Sequence, residues 1–334
     1  MTSTGPDGRA GIDVGLVRRL IAAQFPRWRD LPVTPVAVDG WDNRTYRLGD
    51  DMTVRLPTAP GYVPAVAKEN ECLPRLAPQL PVAIPRVLAA GIPGEGYPYP
   101  WSVRAWLPGE TAAAGRIDDL AAFARSVAGF IRALQRCDPA GGPPAGEHSW
   151  FRGASLAQYD AETRRCLTAL NGHIDTALAA EVWQAALAAD WLGPPVWFHG
   201  DIAAGNLLIA GGKLTAVIDF GTSGVGDPAC DLVIAWTMFG EADGSRAAFR
   251  EAVAQDAGTW ARARGWALWK AMLVLTGALT ADNRPQAEEH RHVINEVLTE
   301  AAAVPAPPEQ PCQPAGNGLG RAVDGGGQVG QRGA

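Results

Sequence analysis

Apolar residues first recur with helical spacing: Val14, Val17, Leu20 and Ile21 share one face of a segment spanning 13–24. The pattern then shortens to short alternating runs, Val33 to Val38, Arg44 to Leu48 and Thr53 to Leu56, broken at Gly40, Asp42-Asn43 and Gly49-Asp50-Asp51. Runs of that length between turn residues predict strands, and the last break predicts a tight hairpin. Residues 63–77 read as a helix, 81–92 as a Pro-rich extended stretch, and Tyr99 to Trp106 as another strand ending at Pro108-Gly109.

Beyond Gly109 the helical period returns. Leu120, Ala124, Val127, Ile131 and Leu134 form a stripe within 115–137, a Gly/Pro loop covers 139–146, and two further helices are predicted over 155–170 and 174–191. Two strands follow, Val196 to His199 and then Leu207 to Asp219 folded at Gly211-Gly212, with helices resuming near Asp231. Past Val304 the chain is mostly small, Pro and Gln residues with little apolar surface to offset ordering entropy. The pattern divides the chain into a frayed 1–12, a β-rich lobe over 13–107, a mainly helical lobe over 108–303 and a disordered 304–334. Together these make an α+β, two-lobed architecture whose inter-lobe cleft is the expected ligand site.

Composition narrows the function. The 334 residues are 47% hydrophobic and 19% charged, with a net charge of −6. That balance predicts a globular protein with no nucleic-acid surface. No basic-then-apolar leader opens the chain, and the most apolar helical stretch, Trp266 to Leu279, is short and carries Lys270, so it reads as a core helix rather than a membrane span. The five cysteines form no C-x-x-C pair and predict reduced thiols in a cytoplasmic protein. The chain holds only three lysines, Lys68, Lys213 and Lys270.

The informative stretch runs from Trp197 to Ile209 and on to Gly221. Phosphoryl transfer needs a carboxylate to orient the attacking hydroxyl and oxygen ligands for Mg²⁺ on the nucleotide phosphates. Asp201 follows a strand, Asn206 opens the next, and Asp219 ends the strand after that. A turn at Gly211-Gly212 brings all three together.

His199-Gly-Asp201-x4-Asn206 resembles the H-G-D-x4-N catalytic loop of aminoglycoside phosphotransferases, a family related to choline kinases and to protein kinases. Ile218-Asp219-Phe-Gly221 resembles the metal-binding segment of that family, and Gly226-Asp-Pro-x-x-Asp231-Leu its G-D-P-x-x-D-L tail. The resemblance covers about residues 33–300. It implies a two-lobed protein-kinase-like fold with a β-rich N-lobe and a mainly helical C-lobe. The implied activity is transfer from ATP or GTP to a small hydroxylated molecule, with Asp201 as base and Asn206 and Asp219 as Mg²⁺ ligands. His199 is expected to buttress the loop, with Asp227 and Asp231 bracing it. A monomer or homodimer is expected.

The N-terminal lobe fits less fully. The segment from Gly40 through Asn43 to Tyr46 resembles the hairpin that covers the phosphates. Glu69 matches the acid that pairs with a strand lysine, but that strand position holds Arg55. The resemblance therefore assigns Arg55 to the α/β-phosphates with Glu69 behind it. Ser102 to Trp106, including Arg104, resembles the hinge that holds the purine. The acidic residues Glu147, Asp160, Glu162, Glu241 and Asp243 lie in loops expected to select the acceptor, with an aminoglycoside-like antibiotic as one candidate. A nucleotide-binding sensor without turnover is the rival reading, supported only by Arg55.

Overall fold

Strand pairing in the N-terminal region runs through short turns. The computed structural model describes residues 9, 11–37, 39–40 and 42–303. Helix α1 (Val14–Gln24) precedes β1 (Val33–Pro35), β2 (Asn43–Leu48), β3 (Met52–Pro57), α2 (Val63–Leu76), β4 (Val87–Gly91) and β5 (Trp101–Ala105). The strands form one antiparallel sheet in the order β1-β2-β3-β5-β4. Asp13 caps α1 by accepting the Leu16 N–H at 2.7 Å. The stripe of α1, with Leu20 and Ile21 fully covered, packs on Tyr46, Leu48, Val54 and Trp101 of the sheet. Order extends to Ile12, which is buried and accepts a hydrogen bond from the Tyr46 hydroxyl at 2.5 Å. The expectations for the rest of 1–12, other than Arg9 and Gly11, and for 304–334 lie outside the described residues.

The C-terminal region contains β6 (Glu110–Thr111), α3 (Leu120–Arg136), α4 (Asp160–Ala169), α5 (Thr176–Ala188), β7 (Val196–Phe198), β8 (Leu207–Ala210) and β9 (Lys213–Val217). It continues with β10 (Gly224–Gly226), α6 (Ile234–Thr237), α7 (Ser245–Val253), α8 (Ala257–Thr280) and α9 (Arg284–Ala303). The β8–β9 hairpin pairs Ala210 with Lys213, so Gly211 and Gly212 form the two-residue turn, with φ of 55° and 73°. Positive φ at both positions matches the right-handed twist of the flanking strands, and glycine adopts it without a Cβ clash.

Several elements differ from the pattern-based expectation. The strand expected over Val33 to Val38 stops at Pro35, whose ring removes the ladder donor, and Val38 is outside the described residues. The extended stretch 81–92 contributes β4 to the sheet edge through a register shift between Val87 and Ala89. Strands β6 and β10 are too short to leave any periodicity in the sequence. Core packing runs across position 107/108. Cys72, Leu73 and Leu76 of α2, together with Ile84, belong to the same core as Phe130 and Ile131 of α3. Ala83 donates to Thr215 O at 3.1 Å and accepts from the Val217 N–H at 3.0 Å, tying the N-terminal chain to β9.

Among the described residues no helix is long and apolar enough to cross a membrane. The described cysteines Cys72, Cys137, Cys166 and Cys230 are buried, free thiols, and burial pushes each thiol above its usual pKa. Phe130→Ala empties a fully buried position of α3. It is expected to cost about 3–5 kcal/mol, read as a fall in the urea midpoint with an unchanged slope.

Candidate active site

The loop after β7 is held by its backbone. Asp231 is fully buried, and its carboxylate accepts the His199 N–H at 2.8 Å and the Gly200 N–H at 2.6 Å. Gly200 has φ of +84°, and a Cβ there would stand 2.8 Å from Thr222 O. No other residue fits that turn without displacing the next loop. The buried His199 accepts the Asp201 N–H on Nδ1 at 3.2 Å. Nε2 therefore carries the proton and donates to Ile218 O at 3.0 Å. The ring packs edge-on against Phe220, with centroids 4.6 Å apart. His199 thus joins the two loops mechanically, as expected of a buttress.

Asp201, Asn206 and Asp219 come together through these loops. The Asn206 amide nitrogen donates to Asp201 O at 2.9 Å and to Asp201 Oδ2 at 3.0 Å, which leaves its Oδ1 as the oxygen able to face a cation. Asn206 O accepts the Ile218 N–H at 2.9 Å, so Asp219 lies one residue past that bridge. Asp219 adopts the left-handed region at φ 68° and ψ 64°. A non-glycine residue held there is strained, and such strain gathers at functional sites.

Cations surround these acids. Lys270 of α8 reaches Asp201 Oδ1 at 3.1 Å. Burial pushes the Asp201 carboxyl up, but Lys270 and Arg152 outweigh it and hold the group below its usual range. It is therefore ionised at neutral pH, where it can accept a hydrogen bond from a hydroxyl. Asp42, just ahead of β2, is lifted to about 6, first by burial and then by the charge of Asp219, while Arg55 and Arg152 pull it back. That lift is the signature of carboxylates crowded into one partly dry cleft.

Arg55 on β3 bridges the lobes, with its guanidinium 3.2 Å from Asp219 Oδ1 and 3.6 Å from Glu69 Oε1. The main partner of Glu69 is different from the one expected. Arg104 makes two bonds to it, at 3.0 Å and 2.6 Å, and a third to the Ser102 hydroxyl at 3.0 Å. Ser102 and Arg104 are both buried within β5, which is paired with β3 on one edge and β4 on the other. The side chains of this hinge segment therefore serve the Glu69 pair, and its main chain serves the sheet. Asn43 begins β2 opposite Pro57.

Four contributors escaped the sequence reading. Lys68 of α2 is buried and donates to Gly221 O at 2.6 Å and Ser223 O at 2.9 Å, with His148 Nδ1 at 3.1 Å. Burial pushes its pKa down to about 8, with Glu69 opposing. Adjacent residues of α2 thus grip opposite lobes: Glu69 holds β5, and Lys68 holds the loop after Asp219. Lys270 escaped because its helix is apolar enough to read as pure core. Arg152 and Asp42 lie in loops with no motif. A usable signal existed for the two lysines, since a chain with so few places these two inside helical apolar stripes. Asp227 and Asp231 brace the site as expected, with Arg262 donating to both Asp227 oxygens at 2.7 Å and 3.2 Å.

Among the described residues no group of three His, Cys, Asp or Glu side chains converges as a self-sufficient metal cage. The oxygens of Asn206 and Asp219 instead suit a hard cation whose remaining ligands come from phosphate and water, as Mg²⁺ prefers.

A β-rich lobe whose helix grips the loops of a helical lobe, with a partly buried cluster of carboxylates and cations at their junction, is the architecture of a kinase-like phosphotransferase. The profile of the phosphotransferase enzyme family APH matches residues 33–266, and the chain belongs to that family. Over 64 residues it is 41% identical to an aminoglycoside 3'-phosphotransferase of Escherichia coli, a match covering 19% of this chain and 24% of that protein. The chain thus spans about a quarter of the length of this curated relative. The fold is similar to aminoglycoside phosphotransferase APH(2")-IIIa bound to GDP and kanamycin, with a TM-score of 0.64, 19% identity and coverage of 86% of this chain and 99% of that one. It is similar too to the macrolide 2'-phosphotransferase MphH of Brachybacterium faecium, with a TM-score of 0.53, 26% identity and coverage of 84% and 97%.

Lys270→Met removes the strongest influence lowering the Asp201 pKa. Asp201 has a depressed folded-state pKa, so its charge is lost only as pH falls through that value. The variant is expected to lose activity at higher pH on the acidic limb of kcat/KM than the wild type does, with its far-UV circular dichroism unchanged.

Proposed function

We propose that the chain transfers the γ-phosphoryl group of ATP or GTP to a hydroxyl of a small molecule. The observation that carries this reading is the direct tie between Asp201 and Asn206 across the hairpin from Asp219, beside the cation that keeps Asp201 ionised. The acceptor hydroxyl donates to Asp201, and its oxygen forms a bond to the γ-phosphorus. The bond from that phosphorus to the bridging oxygen breaks, and the electron pair leaves on the nucleoside diphosphate. The proton passes to Asp201 and then to solvent. A carboxylate of depressed pKa is a weak base, so its part is chiefly to orient the hydroxyl, which suits a loose transition state. Asn206 and Asp219 supply oxygen ligands for Mg²⁺, which would neutralise phosphate charge. Arg55 faces the α/β-phosphates, and Arg104 and Glu69 fix the strand behind it.

The relatives' names point to an aminoglycoside and a macrolide as the acceptors of those proteins, which makes an antibiotic, and a role in resistance, one candidate here. The buried free thiols fit a cytoplasmic setting.

A second reading, a nucleotide-binding sensor without turnover, draws support from Arg55 lying against Asp219, the carboxylate that should face the metal. Arg55→Lys separates the two, because a kinase keeps turnover with an altered nucleotide KM, whereas a sensor shows binding without turnover in either form. Asp201→Asn is expected to keep the fold and lower transfer by about 10²–10⁴-fold, and near-normal transfer would remove Asp201 from its role. Asp219→Ala is expected to abolish the Mg²⁺-dependent part of nucleotide binding, measured by calorimetric titration with and without the metal.

A further inference from the structure

Resting on the kinase reading, we infer that the acceptor is a neutral or acidic hydroxyl compound rather than a polycationic amino sugar. The hollow against Asp201 is lined by Arg152, Lys270, Ile202, Val233, Trp266 and Trp269, among others, and by no carboxylate except Asp201 itself. Lys270 already pairs with that carboxylate at 3.1 Å. The Arg152 guanidinium makes no hydrogen bond or ion pair among the described residues, although its charge acts on Asp201, Asp42 and Tyr159. Phe151, just before it, and Trp150 hold positive φ, of 54° and 51°, which fixes the path of the chain into Arg152. A hydroxyl that reaches Asp201 therefore meets two cations.

The wall is built as well as charged. Tyr159 stacks on Trp269 at 3.9 Å between centroids, and Trp266 meets Trp269 edge-on at 5.6 Å. Trp266 is 2% exposed, and its indole N–H is buried without a hydrogen-bond partner among the described residues.

The acids expected in substrate-selecting loops are placed otherwise: Asp160 and Glu162 lie in the first turn of α4, and both are already bonded. Glu162 accepts the Trp269 indole N–H at 2.8 Å, and Asp160 holds Arg164 and Trp183 at 2.8 Å each. Asp243 caps Ser245 at 2.9 Å, while Glu147 and Glu241 stand exposed outside the hollow. An ammonium beside the reacting hydroxyl would meet Lys270 and Arg152, two positive charges against the single carboxylate of the hollow.

The test is nucleotide consumption with mass detection of the phosphate adduct. The acceptors are uncharged aryl glycosides, sugar acids and the polycation kanamycin, run on the wild type, Arg152→Gln, Arg152→Glu and Asp201→Asn. Neutral or acidic compounds are expected to accelerate consumption and form adducts, and kanamycin to do neither at equal concentration. Arg152→Glu is expected to raise the KM of the acidic acceptors by roughly 10–100-fold, as one partly exposed charge should, and to lower that of kanamycin. Arg152→Gln should move the same constants less. A wild type that phosphorylates kanamycin at lower KM than every other compound overturns the inference while leaving the kinase reading intact. It is also overturned if no neutral or acidic compound accelerates turnover, or if both Arg152 variants alter only the nucleotide KM. Equal adduct formation by Asp201→Asn and the wild type would instead count against the kinase reading itself.

Discussion

Carboxylates gathered in one cleft repel each other, and the rest of the site is arranged around holding them. Asp42, Asp201 and Asp219 act on one another electrostatically, and Asp42 carries the strain as a raised pKa. Arg55, Arg152 and Lys270 supply the opposing charge, each from a different element. Ion pairs of this kind add little net stability, because desolvation offsets much of the attraction. Their contribution is geometric: Lys270 holds Asp201 in place and Arg55 holds Asp219. A divalent cation and the phosphates it carries would enter a site whose charges are already aligned.

Helix α2 transmits that arrangement between lobes. Its apolar face joins the helical-lobe core, yet Glu69 on the same helix anchors β5, the neighbour of the strand that carries Arg55. Lys68, one residue earlier, donates to carbonyls two and four residues past Asp219. A shift of α2 would therefore disturb the strand carrying Arg55 and the loop carrying Asp219 together. Helix α8 does the same within the helical lobe. Arg262, Trp266 and Lys270 recur every four residues and so lie on one face. That face braces Asp227, walls the acceptor hollow and charges Asp201 in turn.

The polar residues of the substrate loops show why local charge is a poor guide to recognition. Glu162 and Asp160 look like an acidic lure along the chain, but each is taken up by an indole N–H, and Asp160 also by an arginine one turn away. The basic residues of the acceptor hollow come from a loop and a distant helix, and their sum reverses the sign that the loops alone imply.

The sequence by itself determined the two-lobed α+β plan, the β8–β9 hairpin and the meeting of Asp201, Asn206 and Asp219. Those features depend on short-range rules: hydrophobic period, turn chemistry at Gly211-Gly212, and ordered motifs at fixed spacing. The family resemblance of the loop also implied a buttress role for His199. Only the tertiary structure decided the partner of Glu69, the burial of Ser102 and Arg104, the grip of Lys68 and the approach of Lys270 and Arg152. Those contacts join residues 35 to 155 positions apart. Such pairing is set by how helices and sheet pack, and no local spacing encodes it. The division between catalytic plan and acceptor choice follows the same line, because the plan lies on one hairpin and the choice on surfaces that only folding brings together.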